Sequence, residues 1–389
     1  MGWNSWNSGI PLSQRTVEET IDALVSSGMR DAGYRFVNLD NGWSAPHRDA
    51  DGNLQADPTR FPGGIPAVAR YAHDRGMLLG LYASPSYQLC GLGPGDESEG
   101  HESADADTFA RWGVDYLKYD WCSTDTDHSD KVRSFTSMRN ALRASGRRIF
   151  YSINPNISGE PSSHSEDWSG IADMSRNTID LVPLWRSQFG DSGPVFGVQE
   201  QVSAANVLAS YSRPGYFNDP DMLVAGVSWP DFVTRHPGMS ETLAGQVGPS
   251  LTYDEQRTHI SLWAMLAAPL LAGNDIRTMS PQTRDLLTNP DIIAVDQDHL
   301  VTQGRPLAQD SRIMVKPLAG GAVAVSMTNP DSQPASMNTT TSAVGLPDGP
   351  CYRVRDLWTH ADSTTTSVLA AEAVPPHGTA VLRVEPNCG

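Results

Sequence analysis

The chain has 389 residues, of which 39% are apolar and 19% charged, and a formal net charge of −17. That composition describes a globular protein with room for one large domain and a smaller one, and excludes a disordered chain. The acidic balance argues against nucleic acid or an anionic membrane surface as a partner, and no apolar run reaches the length of a membrane span.

Short apolar runs recur at 1–6, 34–40, 77–82, 116–120, 149–154, 172–176, 216–222 and 270–275. Amphipathic segments lie between them at 16–32, 64–75, 104–113, 131–144 and 253–268. Continuous apolar runs are the mark of buried parallel strands, and a single apolar stripe is the mark of a covering helix. Eight such units predict an α/β fold, a (β/α)8 TIM barrel over residues 1–302. A doubly wound open sheet is the alternative. It would carry a glycine-rich turn after an early strand, and the sequence has none. Past Val301 the helical stretches vanish. Alternating runs at 313–317, 322–328, 352–356, 366–369 and 379–384, separated by Pro, Gly, Ser and Thr, predict a small C-terminal antiparallel β-sandwich domain over residues 303–389.

The four cysteines fit no zinc spacing. Cys90 and Cys122 each follow a predicted strand end, and Cys351 and Cys388 bracket the last segment. They read as two local disulfides, which points to an oxidising compartment and a secreted protein. The chain opens on Met1-Gly2-Trp3-Asn4-Ser5-Trp6 without a signal peptide, so removal of an upstream segment and a cytosolic location both stay open. Histidines such as His47, His73, His101, His128 and His164 are scattered without metal-binding spacing. No metal and no cofactor are expected. Oligomeric state is not legible.

In a barrel of this kind the active site lies at the C-terminal ends of the strands. Those ends carry Trp6, Asp40, Asn41, Trp43, Tyr82, Lys118, Asp120, Asn154, Arg176, Asp180, Asp219, Asp221, Asn274 and Asp275. Aromatics and acids dominate, which suits a sugar: ring faces stack on aromatics and hydroxyls donate to carboxylates. Any one of these residues alone reads as a helix cap or a turn; their convergence favours an oligosaccharide or glycoside site. In Tyr116-Leu117-Lys118-Tyr119-Asp120, strand alternation puts Lys118 and Asp120 on one face. An ammonium beside the carboxylate would keep Asp120 ionised and fit to act as a nucleophile. Asp180 is the candidate acid/base. Arg176, four residues before it, would oppose protonation by contact, so it is expected to point to a sugar hydroxyl or another acid. Pro220 is expected to aim Asp221 inward toward a hydroxyl. The stretch Asp57-Pro58-Thr59-Arg60 reads as a surface loop. Gln199, Glu200 and Gln201, within 189–211, read either as a polar extension of the pocket or as an ordinary surface helix.

Met1-Gly2-Trp3-Asn4-Ser5-Trp6, Val37-Asn38-Leu39-Asp40, Gly113-Val114-Asp115-Tyr116-Leu117-Lys118-Tyr119-Asp120 and Asn218-Asp219-Pro220-Asp221-Met222-Leu223 together resemble glycoside hydrolase family 27, the α-galactosidases and α-N-acetylgalactosaminidases. The similarity covers nearly the whole chain. It implies the same two domains and a retaining double displacement, with Asp120 as nucleophile and Asp180 as acid/base. It places Trp6, Asp40, Tyr82, Lys118, Arg176, Asp221 and Met222 at substrate contacts, and Cys90 with Cys122 in a disulfide beside the site.

The chain also departs from the family pattern. Where the galactosidases carry two consecutive acids, then cysteine and tryptophan, this chain has Asp40-Asn41-Gly42-Trp43. The acid pair grips the 4- and 6-hydroxyls of galactose. A charge-assisted hydrogen bond contributes about 1.5–3 kcal/mol against about 1 for a neutral one, so Asn41 is expected to weaken galactose binding roughly tenfold. Asn154 and Ser158 stand where a Glu and a Tyr contact the sugar 2-position, and Tyr82-Ala83-Ser84-Pro85-Ser86 replaces an acid-and-glycine turn. The resemblance therefore implies an exo-acting α-galactosidase-like hydrolase. Its alternatives are an isomaltose-releasing dextranase, a β-L-arabinopyranosidase, or a carbohydrate-binding protein without catalysis.

Overall fold

The computed structural model describes residues 1–88, 90, 97–124, 127–156, 167–187, 195–236 and 248–388. Ser158, His164 and residues 189–194 of the sequence reading lie outside these.

Eight parallel strands form one sheet: β1 (Gly2–Asn4), β2 (Phe36–Leu39), β3 (Leu78–Ala83), β4 (Tyr116–Asp120), β5 (Phe150–Asn154), β6 (Met174–Arg176), and, after the short pair β7 (Asp180–Leu181) and β8 (Val195–Phe196), β9 (Phe217–Asp219) and β10 (Leu271–Ala272). The spatial order is β10-β1-β2-β3-β4-β5-β6-β9. A parallel bridge between Leu223 and Ala272 joins the two ends, with Leu223 N donating to the Leu271 carbonyl at 2.7 Å, so the sheet closes into a barrel. The helices Gln14–Ser26, Gly64–His73, Glu102–Trp112, His128–Ala144 and Tyr253–Met265 cover it.

Alternation along each strand decides what faces where. Leu79, Leu81, Leu117, Tyr119, Tyr151 and Ile153 turn outward into the helix-covered core. The opposite set turns inward. At the N-terminal end Phe36, Tyr116, Phe150 and Phe217 plug the barrel with Met174 and Leu271; Tyr116 and Phe150 stack at 5.5 Å. Gly80 is required between them and the upper end: a Cβ there would fall 2.0 Å from Asn38 Oδ1. One step further along the same inward rows come Lys118, Asp120, Asn154 and Arg176. The floor is therefore apolar and the mouth polar.

The C-terminal part is antiparallel, as expected. A six-stranded sheet holds β11 (Arg305–Leu307), β12 (Asp310–Pro317), β13 (Val323–Thr328), β15 (Tyr352–Asp356), β16 (Asp362–Thr365) and β18 (Thr379–Pro386). It faces the pair β14 (Ala335–Thr340) and β17 (Val368–Val374). The run expected at 366–369 straddles the turn between β16 and β17, because Ser and Thr continue through it without a breaker. Ile313, Val323, Val325 and Leu382 point into the sandwich, while Met314, Ala324 and Val381 join the barrel's core. Disulfides link Cys90 to Cys122 and Cys351 to Cys388.

Candidate active site

The mouth of the barrel opens into a hollow of about 830 Å³ lined by Trp6, Asp40, Asn41, Tyr82, Lys118, Asp120, Asn154, Arg176, Asp180, Asp221 and Met222, among others. Of the candidates read from the strand ends, Trp43, Asp219, Asn274 and Asp275 do not line it. Trp43 is a correction. Its indole is 2% exposed, donates to the Tyr82 carbonyl at 2.8 Å and packs edge-on against Trp112, so it supports β3 from behind. Asn274 and Asp275 are also displaced: they line a separate depression beside Ser8 and Thr283, and Asp275 pairs with Arg277.

Asp120 ends β4 and is buried, its Oδ1 without a hydrogen-bond partner. The Lys118 ammonium differs from expectation. It sits 2.8 Å from Asp40 Oδ2 and 3.9 Å from Asp120 Oδ2, so its main partner is Asp40. Burial is the larger influence on Asp120 and, against the pull of Lys118, pushes its carboxyl up to about 6. Burial by itself would lower Lys118, but the Asp120 and Asp40 charges hold it above its ordinary value. Asp40 makes two further bonds: Oδ2 also accepts from Asn4 Nδ2 at 3.0 Å, and Oδ1 from the Asn41 backbone N–H at 2.9 Å. The Tyr82 hydroxyl lies 3.3 Å from Cys122 Sγ, and burial with the nearby Asp120 charge keeps it protonated. The Cys90 and Cys122 sulfurs both lie within 4.8 Å of an Asp120 oxygen. Because they are bonded to each other, that trio offers no thiolates to a metal.

Across the hollow, Asp180 opens β7 with its side chain 53% exposed. Arg176 bonds its Oδ1 at 3.0 Å and Asp221 Oδ1 at 3.1 Å. Arg176 thus points to another acid, Asp221, as expected, but it does not avoid Asp180: the buried guanidinium bridges both acids. Asp221 has its oxygens occupied as well, by Met222 N–H and Leu181 N–H at 2.8 Å each. Its φ of +80° is costly for a non-glycine residue and is held by those bonds. Asp221 thus positions Arg176 and the start of β7 more than it offers a free oxygen to a hydroxyl. Behind it, burial pushes Asp219 up to about 6.

Gln199, Glu200 and Gln201 lie outside the lining of the hollow. They sit on the helix Val198–Asn206, where Glu200 caps the N-terminus and Gln201 is fully buried. The sequence reading missed Arg60, Asn156, Phe232, Arg235 and His236, all of which line the hollow. Arg60 comes from the stretch read as a plain surface loop and is tied to Asp57 and to the Ser44 carbonyl. Asn156 comes from the excursion after β5, and Phe232, Arg235 and His236 from a seven-residue helix and its cap after β9, too short to show a clear period.

Residues 7–298 match the family model "Alpha galactosidase A", and residues 308–384 match "Alpha galactosidase C-terminal beta sandwich domain". The chain is 35% identical to "Alpha-galactosidase A" of Cellvibrio japonicus, covering 100% of this chain and 92% of that one. It is 37% identical to "Alpha-galactosidase 3" of Arabidopsis thaliana, covering 96% and 78%. A crystal structure of a putative α-galactosidase from Bacteroides fragilis superposes with a TM-score of 0.85 at 33% identity, covering 100% of this chain and 79% of that one. The chain belongs to glycoside hydrolase family 27 and is an α-galactosidase-like glycosidase.

Proposed function

We propose that this glycosidase is retaining and exo-acting, and that it removes a terminal α-galactosyl-type sugar by double displacement. The observation that carries the reading is the presence of Asp120 and Asp180 on the wall of one closed-floored hollow, with the charge of Asp180 felt at Asp120. The ionised Asp120 attacks the anomeric carbon while Asp180 gives its proton to the departing glycosidic oxygen. The resulting glycosyl ester has inverted configuration. Asp180, now a carboxylate, takes a proton from water, and that water displaces Asp120 and restores the original configuration. Arg176 bonds Asp180 as a carboxylate, so its hold shifts toward Asp221 when Asp180 carries the proton. The plugged floor leaves one entrance, which suits removal of a chain-end sugar. A retaining enzyme places the two carboxyl groups roughly 5–5.5 Å apart across the sugar. The domain division lies near residue 302, and the two disulfides favour an oxidising, extracellular setting.

A second reading, a member with altered sugar preference, is favoured by Asn41. Its Nδ2 is committed to the Cys90 carbonyl at 2.7 Å. It therefore offers the hollow an uncharged acceptor.

Nitrophenyl α-galactoside, α-N-acetylgalactosaminide, α-glucoside, α-isomaltoside and β-L-arabinopyranoside separate these readings. Release from the galactoside is expected; none from it, beside clear release from another, selects the second reading. Asp120→Ala is expected to abolish turnover. Added azide should then displace the nitrophenolate and leave a glycosyl azide of inverted configuration. An azide product of retained configuration would remove Asp120 from its role.

A further inference from the structure

Between β9 and the helix Tyr253–Met265 the chain makes an excursion that contains the short helix Trp229–Arg235. Phe232, Arg235 and His236 at its end form one wall of the hollow, beside Trp6. The His236 ring is buried. Its Nδ1 lies 2.8 Å from the Phe232 carbonyl oxygen and its Nε2 lies 2.9 Å from the Trp6 carbonyl oxygen. Both partners accept only. A neutral imidazole has one N–H, so it can satisfy one carbonyl and must turn a lone pair toward the other; the protonated ring donates to both. The Phe232 carbonyl belongs to a helix C-terminus, where a cation is favoured. The same ring packs against the Trp6 indole, with centroids 5.4 Å apart. Trp6 is 36% exposed. Its other backbone bonds are to Asn4 Oδ1 and from Gly9 N–H.

We propose that His236 is a positioning residue for substrate binding: the protonated ring clamps Trp6 by backbone and by ring, fixing the indole face that meets the sugar. The proposal rests on reading the hollow as the glycosidase site. Asp231 and Arg235 are the charged groups on His236's own helix, and Arg235 turns to the Ser8 carbonyl at 2.7 Å. The facing segment 9–12 has no titratable side chain. Elsewhere around the hollow the two cations Lys118 and Arg176 lie among the four acids Asp40, Asp120, Asp180 and Asp221, and Arg60 is paired with Asp57. Among the described residues no carboxylate is hydrogen-bonded to the His236 ring, so the two carbonyls are its acceptors.

Two measurements test the clamp. The first is nitrogen NMR of the His236 ring and the Trp6 indole, assigned with His236→Gln and Trp6→Phe, followed across pH without substrate. The Trp6 signal is expected to move with the titration of the His236 ring. A Trp6 signal that ignores it overturns the proposal. The second is steady-state kinetics on whichever glycoside of the panel is cleaved. His236→Gln is expected to raise KM about threefold to tenfold, as for one lost hydrogen bond, with kcat within about twofold. The wild-type KM should climb as the ring loses its proton, and the His236→Gln KM should stay flat. In a Trp6→Phe background, His236→Gln is expected to add nothing further. Additive effects in the double variant also overturn the proposal. If no glycoside is cleaved, the functional reading fails, while the NMR measurement still decides the clamp.

Discussion

The environment of the proposed nucleophile makes a pH prediction. In that role Asp120 must be ionised to attack, and burial has raised its carboxyl to about 6. Below that value the protonated form accumulates. kcat/KM is therefore expected to fall about tenfold per pH unit below about 6, on the acid limb of a rate profile. A limb that breaks near 4 instead would mean that Lys118 controls Asp120 after all. Asn41 makes a second prediction. Because its Nδ2 serves the Cys90 carbonyl, Asn41→Asp would set a carboxylate oxygen against that carbonyl oxygen. Restoring the acid alone is thus expected to give no gain in kcat/KM on a galactoside. Asn41→Ala should lose about fivefold, the worth of one neutral hydrogen bond of about 1 kcal/mol. A clear gain from Asn41→Asp would show that the Cys90 segment moves to accommodate the charge. At this scale many of the residues that meet in the hollow were legible, but their partners were not. Lys118 and Asp120 share a strand face, yet the ammonium leans across to Asp40 on β2, a choice fixed by sheet order and not by spacing within β4.

Elements with strong periodicity were legible to within a few residues. The run 116–120 coincides with β4, and 131–144 lies inside the helix His128–Ala144. Two-residue strands such as β7 and β8 carry too little pattern to be read, although β7 begins with Asp180. What holds β7 in place is the helix Val198–Asn206, also hidden in a segment of ambiguous polarity. From it the buried Gln201 amide donates to the Ile179 carbonyl at 2.8 Å and the Pro220 carbonyl at 2.7 Å. Those carbonyls belong to the residues just before Asp180 and Asp221. One side chain therefore ties together the two turns that present both acids to Arg176. Gln201→Leu would leave the two buried carbonyls without a donor, at a cost of about 2 kcal/mol in stability. Because Asp180 would lose its fixed placement, kcat is expected to fall more than KM rises, measured well below the melting temperature. A normal kcat in a destabilised variant would show that Asp221 and Arg176 hold Asp180 unaided.

The two-domain organisation was visible in the whole chain as a change of pattern after Val301, where helical stripes give way to alternation. How the domains meet was not visible, because a strand buried on both faces does not announce which partner lies on which side. In the structure the barrel helix Tyr253–Met265 and the segment around Asp296 pack on the sandwich, away from the hollow. At that seam Lys316 on β12 is fully buried and donates to the Ala264 carbonyl at 2.7 Å. Burial pulls Lys316 down to about 8, opposed by Asp296, and pushes Asp296 up to about 6, opposed by Lys316. For Asp296 the folded value exceeds the unfolded one of about 3.9, so its contribution is present below that and lost as pH rises through 6. For Lys316 the folded value lies below the unfolded one of about 10.4, so its contribution is present above that and lost as pH falls through 8. Between 6 and 8 both are charged, and each depends on the other. Lys316→Met removes the ammonium, strands the Ala264 carbonyl and leaves the Asp296 charge without its Lys316 partner. The expected loss is about 2–4 kcal/mol at pH 7. At pH 5 Asp296 is largely protonated in both proteins, so the gap in melting temperature should narrow. Equal gaps at pH 5 and pH 7 would mean that the two charges at the seam do not sense each other, and that Lys316 serves only as a hydrogen-bond donor.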